Sequence, residues 1–223
     1  MRGRLIVFEG VEGCGKTTQL EKLRQWFVES GWFAKLLAQG QLQQLITTRE
    51  PGGTLLGLAI RQLLMGQTGQ EPIQDRAELL LFAADRAQHV EGFLRPHLEQ
   101  GAMILCDRYT DSTVAYQGYG RGLNLSLIAQ LNQLATQGLE SDLTLWLDLD
   151  VEIGLARSRR RGTLDRIEQS DLAFHQRVQQ GFATLAHTYP NRIVRIDASA
   201  AEQKVADQIQ IVLQQRLADW YRV

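Results

Sequence analysis

Four residues near the start of the sequence have the types and the spacing needed to bind a chain of phosphates. Gly10, Gly15, Lys16 and Thr17 satisfy the pattern G-x-x-x-x-G-K-[ST], soon after an apolar run at 5–8. The glycines let backbone N–H groups point at phosphate oxygens, and the N-terminus of the following helix adds the positive end of its dipole. The lysine adds a full positive charge. The pattern therefore predicts a strand, a phosphate-binding loop and a helix that together bind a nucleoside triphosphate.

A carboxylate after a second apolar run predicts a magnesium site. Asp107 directly follows the run 103–106, so it would lie at the carboxyl end of a buried strand. From there it can reach a hydrated Mg²⁺, which the Thr17 hydroxyl can also bind. Glu12 lies inside the phosphate-binding loop, where its charge is unfavourable unless a cation or a hydroxyl donor compensates it.

Two arginines predict a second phosphate site. Arg49 precedes the turn Glu-Pro-Gly-Gly-Thr after the expected second strand, and Arg108 directly follows Asp107. Both guanidinium groups would lie at strand ends near the triphosphate, and their forked N–H donors match phosphate oxygens. We therefore expect an acceptor that carries a phosphate of its own.

Phe82 and Arg86 could together recognise a nucleotide base. These residues are four positions apart, so they share one face of a helix. The phenyl ring can stack on a base, and the guanidinium group can only donate hydrogen bonds. The pair therefore favours a base with a carbonyl, such as the O4 of thymine or uracil, over the amino group of cytosine.

An arginine-rich segment predicts a lid over the phosphates. Four arginines fall within 157–161, and Gly162, Asp165 and Arg166 follow. A mobile lid, at about 154–168, would supply the arginine that phosphoryl transfer needs and would also compensate Glu12. A solvated basic surface is the competing interpretation.

The elements that must position these residues follow an alternating pattern. Apolar runs at 5–8, 103–106, 143–149 and 192–197 predict strands that are buried on both faces, with a further strand somewhere within 33–48. Such strands, separated by helices, predict an α/β fold with a parallel sheet covered by helices. The stretch 36–46 has no clear period and is predicted to be a loop or an irregular entry to the strand. The chain shows no internal repeat or linker, which favours a single domain over 1–223.

Helical periodicity is clearest in three segments. Leu20, Leu23 and Phe27 recur after the phosphate-binding loop. Within 74–99, the apolar face is predicted to consist of Leu80, Ala83, Ala87, Val90 and Leu94, before Pro96 disturbs it. A C-terminal helix is predicted from Val205, Ile209, Val212 and Leu217.

Composition limits the possible partners. The 223 residues include 24 Lys and Arg against 25 Asp and Glu, so a net charge of -1 gives no overall attraction to nucleic acid or to an anionic membrane. No apolar run approaches the roughly 20 residues that span a bilayer. The two cysteines, Cys14 and Cys106, have no metal-type spacing and are expected to be reduced thiols. We therefore predict a cytoplasmic protein.

The motifs together resemble the bacterial type of thymidylate kinase. The matching segments are FEGVEGCGKTT (8–18), TREPGGT (48–54), DRY (107–109) continuing into STVAYQG (112–118), and RGTLDRIE (161–168). They occur in the order of that family, cover most of the chain and are specific in combination. The connection 31–49 looks about ten residues longer than is typical of the family.

The resemblance implies a P-loop NTPase with the nucleoside monophosphate kinase fold: a five-stranded parallel sheet with helices on both faces and a short lid. It implies a homodimer and phosphoryl transfer from Mg²⁺-ATP to dTMP, with ADP and dTDP as products. The residues implied for ATP are Gly10, Val11, Glu12, Gly13, Cys14, Gly15, Lys16, Thr17 and Thr18. Those implied for dTMP are Glu12, Arg49, Phe82, Arg86, Arg108, Ser112, Thr113, Tyr116 and Gln117.

Within these sets the resemblance implies finer roles. Glu12 would contact a sugar hydroxyl, and Tyr116 would occupy the place of a ribose 2′-OH. The turn 197–199 would lie against adenine. The catalytic residues implied are Lys16, Arg108, Arg157, Arg159 and Arg161, with Thr17 and Asp107 at the metal. Four arginines within five positions leave open which lid arginine is catalytic.

Two alternatives remain open from the residues alone. Another nucleotide or nucleoside kinase, for UMP, dUMP or a deoxynucleoside, would share most of these features, since selection for the 5-methyl group cannot be read from the sequence. A P-loop ATPase that switches a partner protein would hydrolyse ATP without any acceptor. It would not need the set Arg49, Phe82, Arg86 and Arg108.

Overall fold

A single parallel sheet organises the chain, in a computed structural model that describes residues 3–66, 71–162 and 164–221. The strands are β1 (Arg4–Glu9), β2 (Gln44–Arg49), β3 (Ala102–Asp107), β4 (Leu143–Asp148) and β5 (Ile193–Asp197). Their order is β2-β3-β1-β4-β5, and all pairings are parallel. The carboxyl ends of all five strands therefore meet at one edge of the sheet. The predicted α/β class and five-stranded sheet are confirmed.

Helices connect the strands. They are α1 (Lys16–Glu29), α2 (Trp32–Ala38), α3 (Leu55–Met65), α4 (Asp75–His89), α5 (Arg95–Glu99), α6 (Thr110–Thr113), α7 (Leu125–Thr136), α8 (Val151–Arg161), α9 (Leu172–Thr188) and α10 (Glu202–Tyr221). Two π-helical segments, Val90–Leu94 and Val114–Gly120, continue α4 and α6. Among the described residues no helix has the length and apolar character needed to cross a membrane.

The core occupies both faces of the sheet. Alternate residues of β1 point in opposite directions, so Ile6 and Phe8 belong to one buried cluster while Leu5 and Val7 belong to another. This explains why the central strands are continuous apolar runs. The edge strand β2 is largely exposed or half-buried, so it lacks such a run.

The prediction of a loop or irregular strand entry at 36–46 is wrong in part. Leu36 is fully buried in α2, a short helix that begins after Gly31, whose φ of 82° is in the left-handed region. The rest of the stretch agrees with the prediction, since 39–43 form neither helix nor strand and β2 begins at Gln44. A helix of seven residues is too short to show a clear period.

The predicted apolar face of α4 is also wrong in part. Leu80 is 57% exposed, whereas Val90 and Leu94 are buried as predicted. The buried residues of α4 are Glu78, Leu79, Asp85, Arg86 and His89. This helix turns a polar face inward because its buried polar side chains bond to other segments: Asp85 accepts from the Gly52 N–H, and Arg86 and His89 both contact Glu50. Pro96 lies in the first turn of α5, directly after the π-helical segment Val90–Leu94, so the regular helix is disturbed next to this proline as predicted.

Candidate active site

A cavity of about 520 Å³ lies at the carboxyl edge of the sheet, beside the ends of β1, β2 and β3. Most of the residues predicted for ATP, dTMP or metal binding line it: Glu12, Gly13, Cys14, Gly15, Lys16, Thr17, Thr18, Arg49, Phe82, Arg86, Asp107, Arg108, Ser112, Thr113, Tyr116, Gln117 and Arg157. Gly10, Val11 and Arg159 are not in its described wall, and the side chain of Arg161 lies outside the described residues. The structure thus brings most of the predicted residues together around one cavity.

The phosphate-binding loop has the backbone conformation that its glycines permit. Gly10, Gly13 and Gly15 have φ values of 140°, 69° and 97°. Lys16 Nζ donates to the carbonyl oxygens of Gly10 and Val11, each at 3.0 Å, so its ammonium group lies across the loop. The N–H groups at the start of α1 and this charge both favour an anion within the loop.

A close backbone contact joins the phosphate-binding loop to α8, where the predicted lid segment begins. A Cβ atom added to Gly13 would lie 2.1 Å from the carbonyl oxygen of Gly154 in α8, and one added to Gly154 would lie 2.3 Å from that of Glu12. Neither position has room for a side chain. The first turn of α8 is therefore packed against the phosphate-binding loop.

Glu12 is buried, and its carboxylate is compensated by groups outside the lid. Oε1 accepts hydrogen bonds from Tyr116 Oη at 2.5 Å and from Arg108 Nη2 at 3.1 Å. Oε2 lies 3.4 Å from His175 Nδ1. Burial acts to raise the pKa of Glu12, but the contact with His175 and the charge of Arg108 outweigh it, and that pKa is lowered to about 2.

The prediction that lid arginines compensate Glu12 is therefore not supported by the described side chains. The compensating cation is Arg108, which has a φ of 71°. Its Nη1 also donates to Gly10 O and to Ser112 Oγ, each at 3.1 Å. The guanidinium carbon lies 4.9 Å from the centroid of the Tyr116 ring. Arg108 thus contacts both the phosphate-binding loop and the opposite wall of the cavity.

Glu9, a residue that sequence reasoning missed, orients the segment after β3. It is fully buried and accepts hydrogen bonds from the backbone N–H groups of Tyr109 and Ser112 and from Ser112 Oγ. Burial and the charge of Asp111 raise its pKa to about 7. Its only signal in the sequence was its position directly before the first glycine of the loop.

Arg86 is almost fully engaged with protein acceptors. Its Nε donates to Glu50 Oε2 at 2.9 Å and its Nη2 to the carbonyl oxygen of Tyr109 at 3.0 Å. Its Nη1 donates to Thr113 Oγ1 at 2.8 Å and to Asn132 Oδ1 at 2.7 Å. A guanidinium group has five N–H bonds, so one on Nη2 remains for a ligand. Arg86 lines the cavity together with Phe82.

A third arginine joins the two predicted for the second phosphate. Arg61 of α3 lines the cavity, and its pKa is lowered by burial and by the charge of Arg49. Arg108 contributes to the same positive field. Arg61 was missed because it lies in a mainly apolar helix and belongs to none of the motifs. Mutual repulsion among these cations favours an anion between them.

The last part of the predicted lid segment is attached to α4. The Asp165 carboxylate accepts hydrogen bonds from the N–H groups of residues 167 and 168, which forms a tight turn. Arg166 donates to Glu78 and, at 3.2 Å, to the carbonyl oxygen of Leu64. Arg157 borders the cavity from α8. The predicted lid segment thus connects the phosphate-binding loop to α4.

Fold and cavity together place the chain among the P-loop phosphotransferases with the nucleoside monophosphate kinase fold. Comparison with known proteins identifies the family within that class. The family model for thymidylate kinase matches residues 8–209. The thymidylate kinase of Cyanothece sp. (strain PCC 7425 / ATCC 29141) is 63% identical over 228 residues, covering 99% of this chain and 97% of its own length. That of Acaryochloris marina (strain MBIC 11017) is 58% identical, covering 99% and 100%.

A solved structure agrees. The crystal structure of thymidylate kinase from Ehrlichia chaffeensis superposes with a TM-score of 0.72 at 32% identity, covering 96% of this chain and all of that one. The chain belongs to the thymidylate kinase family, which phosphorylates dTMP to dTDP with ATP for dTTP synthesis. The resemblance to this family and the kinase activity are thereby confirmed. Family membership decides against the ATPase switch and favours dTMP among the nucleotide acceptors.

Proposed function

We propose that the cavity holds ATP and dTMP together, with their phosphates meeting between Lys16 and Arg108. The observation that carries this proposal is that Glu12, inside the phosphate-binding loop, contacts Arg108 and Tyr116 of the opposite wall. The part of the cavity that binds ATP and the part that binds dTMP are therefore separated by a single side chain, that of Glu12. In this arrangement the loop 10–18 binds the ATP phosphates, while Arg49 and Arg108, with Arg61, bind the dTMP phosphate.

The acceptor in this reaction needs no strong general base. A phosphate monoester is already largely ionised near neutral pH, so its oxygen can attack directly. The contribution of the protein is to align the two phosphates and to neutralise charge on the transferring group. Lys16, Arg108 and a lid arginine supply that charge. Among the lid arginines with described side chains, the lining position of Arg157 favours it over Arg159; Arg161 remains a candidate.

Thr17 and Asp107 form the proposed magnesium site. The Thr17 hydroxyl donates to Asp107 Oδ2 at 3.1 Å, so one hydroxyl and one carboxylate oxygen lie together at the loop. Mg²⁺ is commonly bound by one or two protein oxygens, with waters and substrate phosphates completing six ligands. The described residues contain no cluster of three or more His, Cys, Asp or Glu side chains that would form a complete protein cage. When bound, Mg²⁺ would neutralise charge on the ATP phosphates.

The base and the sugar of dTMP would contact side chains that line the cavity. Phe82 stacks on the thymine ring, and the free N–H of Arg86 donates to O4, with Ser112 and Thr113 near the base edge. Tyr116 packs against the sugar where a 2′-OH would lie, which favours deoxynucleotides. Its short hydrogen bond to Glu12 supports this role because it fixes the ring in place.

We also propose a homodimer, formed by a leucine-rich surface on α3, α4 and α7. Seven leucines on these helices are at least 45% exposed: Leu55, Leu56, Leu58, Leu63, Leu80, Leu125 and Leu134. α4 packs against both of the other helices, so the three helices are neighbours in the fold. Sedimentation should give twice the chain mass of 25.2 kDa, and a Leu134→Arg variant should sediment as a monomer. Because both cysteines are free thiols, we further propose a cytoplasmic location.

The deciding experiment measures ADP release from Mg²⁺-ATP without an acceptor and with dTMP, dUMP, UMP, dCMP or dGMP. We expect strong stimulation by dTMP and only weak stimulation by UMP or dCMP, with Lys16→Ala as the inactive control. If ADP were released as fast without an acceptor as with dTMP, the assignment of the dTMP-binding residues would be refuted.

A further inference from the structure

Glu78 of α4 is a buried carboxylate without a part in the proposed chemistry. It is 0% exposed and accepts hydrogen bonds from three side chains on two other segments. Gln117 Nε2 donates to Oε1 at 2.8 Å, Arg121 Nη2 donates to Oε2 at 3.2 Å, and Arg166 also donates to Oε2. Such a carboxylate is costly to bury unless its oxygens are fully bonded, as they are here.

The neighbours of Glu78 keep it ionised. Burial acts to raise its pKa, but the hydrogen bonds from Gln117, Arg121 and Arg166 outweigh burial and lower that pKa overall. An ionised carboxylate can only accept hydrogen bonds. The amide of Gln117 must therefore turn its NH₂ group toward Glu78, because its carbonyl oxygen would be repelled there.

This orientation determines what Gln117 can offer a ligand. The side chain is 2% exposed and lines the cavity with Phe82 and Arg86. Because the amide nitrogen is bonded to Glu78, the carbonyl oxygen lies on the other side of the amide plane, and it is the only side-chain acceptor that Gln117 has. Arg86 has one N–H left and is a pure donor. The wall thus combines one donor and one acceptor.

That combination matches one kind of base edge. Thymine and uracil present the O4 acceptor next to the N3–H donor, whereas cytosine presents an amino donor next to an unprotonated N3. We propose that Glu78 is a positioning residue for base selection: it fixes the Gln117 amide so that the carbonyl accepts the N3–H of thymine. The proposal rests on the proposed position of the dTMP base and adds a second discriminating contact to that of Arg86.

The test compares two selectivity ratios in a Glu78→Gln variant. A glutamine at this position can donate or accept, so Gln117 is free to flip. We expect the ratio of kcat/KM for dTMP to that for dCMP to fall about tenfold, the value of one neutral hydrogen bond. The ratio of dTMP to dUMP should stay unchanged, because both bases carry O4 and N3–H. General loosening of the site would change both ratios.

Two further variants separate positioning from a structural role. Arg166→Ala removes one ion pair of Glu78 but leaves its bond to Gln117, so it should lower the melting temperature without changing the dTMP/dCMP ratio. In a Gln117→Met background, Glu78→Gln should have no further effect on that ratio. If Glu78→Gln does not fold, Gln117→Met alone must lower the ratio.

The outcomes are distinguishable. An unchanged dTMP/dCMP ratio in folded Glu78→Gln, or an equal loss in Arg166→Ala, would overturn the role of Glu78. An unchanged ratio in Gln117→Met would overturn the role of the amide. Failure of the wild-type chain to use dTMP at all would refute the proposed function instead.

Discussion

Asp85 should make the stability of this protein fall as the pH rises through the acidic range. Its side chain is 1% exposed, Oδ1 accepts a hydrogen bond from the Gly52 N–H at 3.0 Å, and Oδ2 has no hydrogen-bond partner among the described residues. Burial, together with the negative charge of Glu50, raises its pKa from 3.8 to about 6. The folded state therefore binds this proton more tightly than the unfolded chain does.

The size of the effect follows from that difference. One pKa unit corresponds to about 1.4 kcal/mol, so a rise of about two units corresponds to about 3 kcal/mol. This stabilisation is fully present below pH 3.8 and is lost as the pH rises through 6. Roughly 1.5 kcal/mol of the loss falls between pH 5 and pH 8. Asp85→Asn keeps an acceptor for Gly52 but does not titrate.

The assay is urea unfolding of the wild type and of Asp85→Asn at several values between pH 5 and pH 8. The free energy of unfolding of the variant should rise relative to the wild type by about 1.5 kcal/mol over that range, whatever its offset at one pH. Asp219→Asn is the control: this position is exposed, so the variant shows how the free energy of unfolding changes when a solvated carboxylate is removed. A difference that stays constant with pH, or falls, would refute this reasoning.

Three other predictions concern the cavity. Tyr116→Phe removes a hydrogen bond to the charged Glu12, so kcat/KM for dTMP should fall about 10- to 100-fold in steady-state assays, and an unchanged value would contradict the assigned contact. Gly154→Ala inserts a methyl group 2.3 Å from the Glu12 carbonyl oxygen and should cost about 1–3 kcal/mol in urea unfolding while raising the KM for ATP. Asp107→Asn should shift the Mg²⁺ titration of activity to higher concentration, and an unshifted curve would exclude Asp107 from the metal site.

The parts of the fold that local sequence determines could be predicted. The strands β1, β3 and β4 are buried on both faces and therefore read as apolar runs. The phosphate-binding loop could be predicted from Gly10, Gly15 and Lys16, because its conformation depends on residues close together in the chain. The edge strand β2 and the seven-residue α2 could not, since one is half-exposed and the other is too short to show a period.

The candidate site was predictable only where a residue belongs to a motif. Arg61, Glu78 and His175 were missed because their importance comes from contacts with residues far away in sequence. His175, for example, lies 3.4 Å from Glu12, although 163 positions separate them. The inward face of α4 was mispredicted for a related reason: periodicity assumes that buried residues are apolar. Asp85 and Arg86 violate that assumption because they are buried against polar groups of distant segments, Gly52 N–H and Glu50.

The strand order sets the direction in which the phosphoryl group would travel. The phosphate-binding loop follows β1, and the neighbouring strands on one side, β3 and β2, end in Asp107 and Arg49. Adjacent strands lie about 4.8 Å apart, which is comparable to the size of a phosphate group. In the proposed arrangement, the phosphoryl group therefore moves at right angles to the strands, from the end of one strand toward the end of its neighbours. The spacing of the strands would then fix the distance between the ATP phosphates and the dTMP phosphate. The predicted lid would exclude water and would not set that distance.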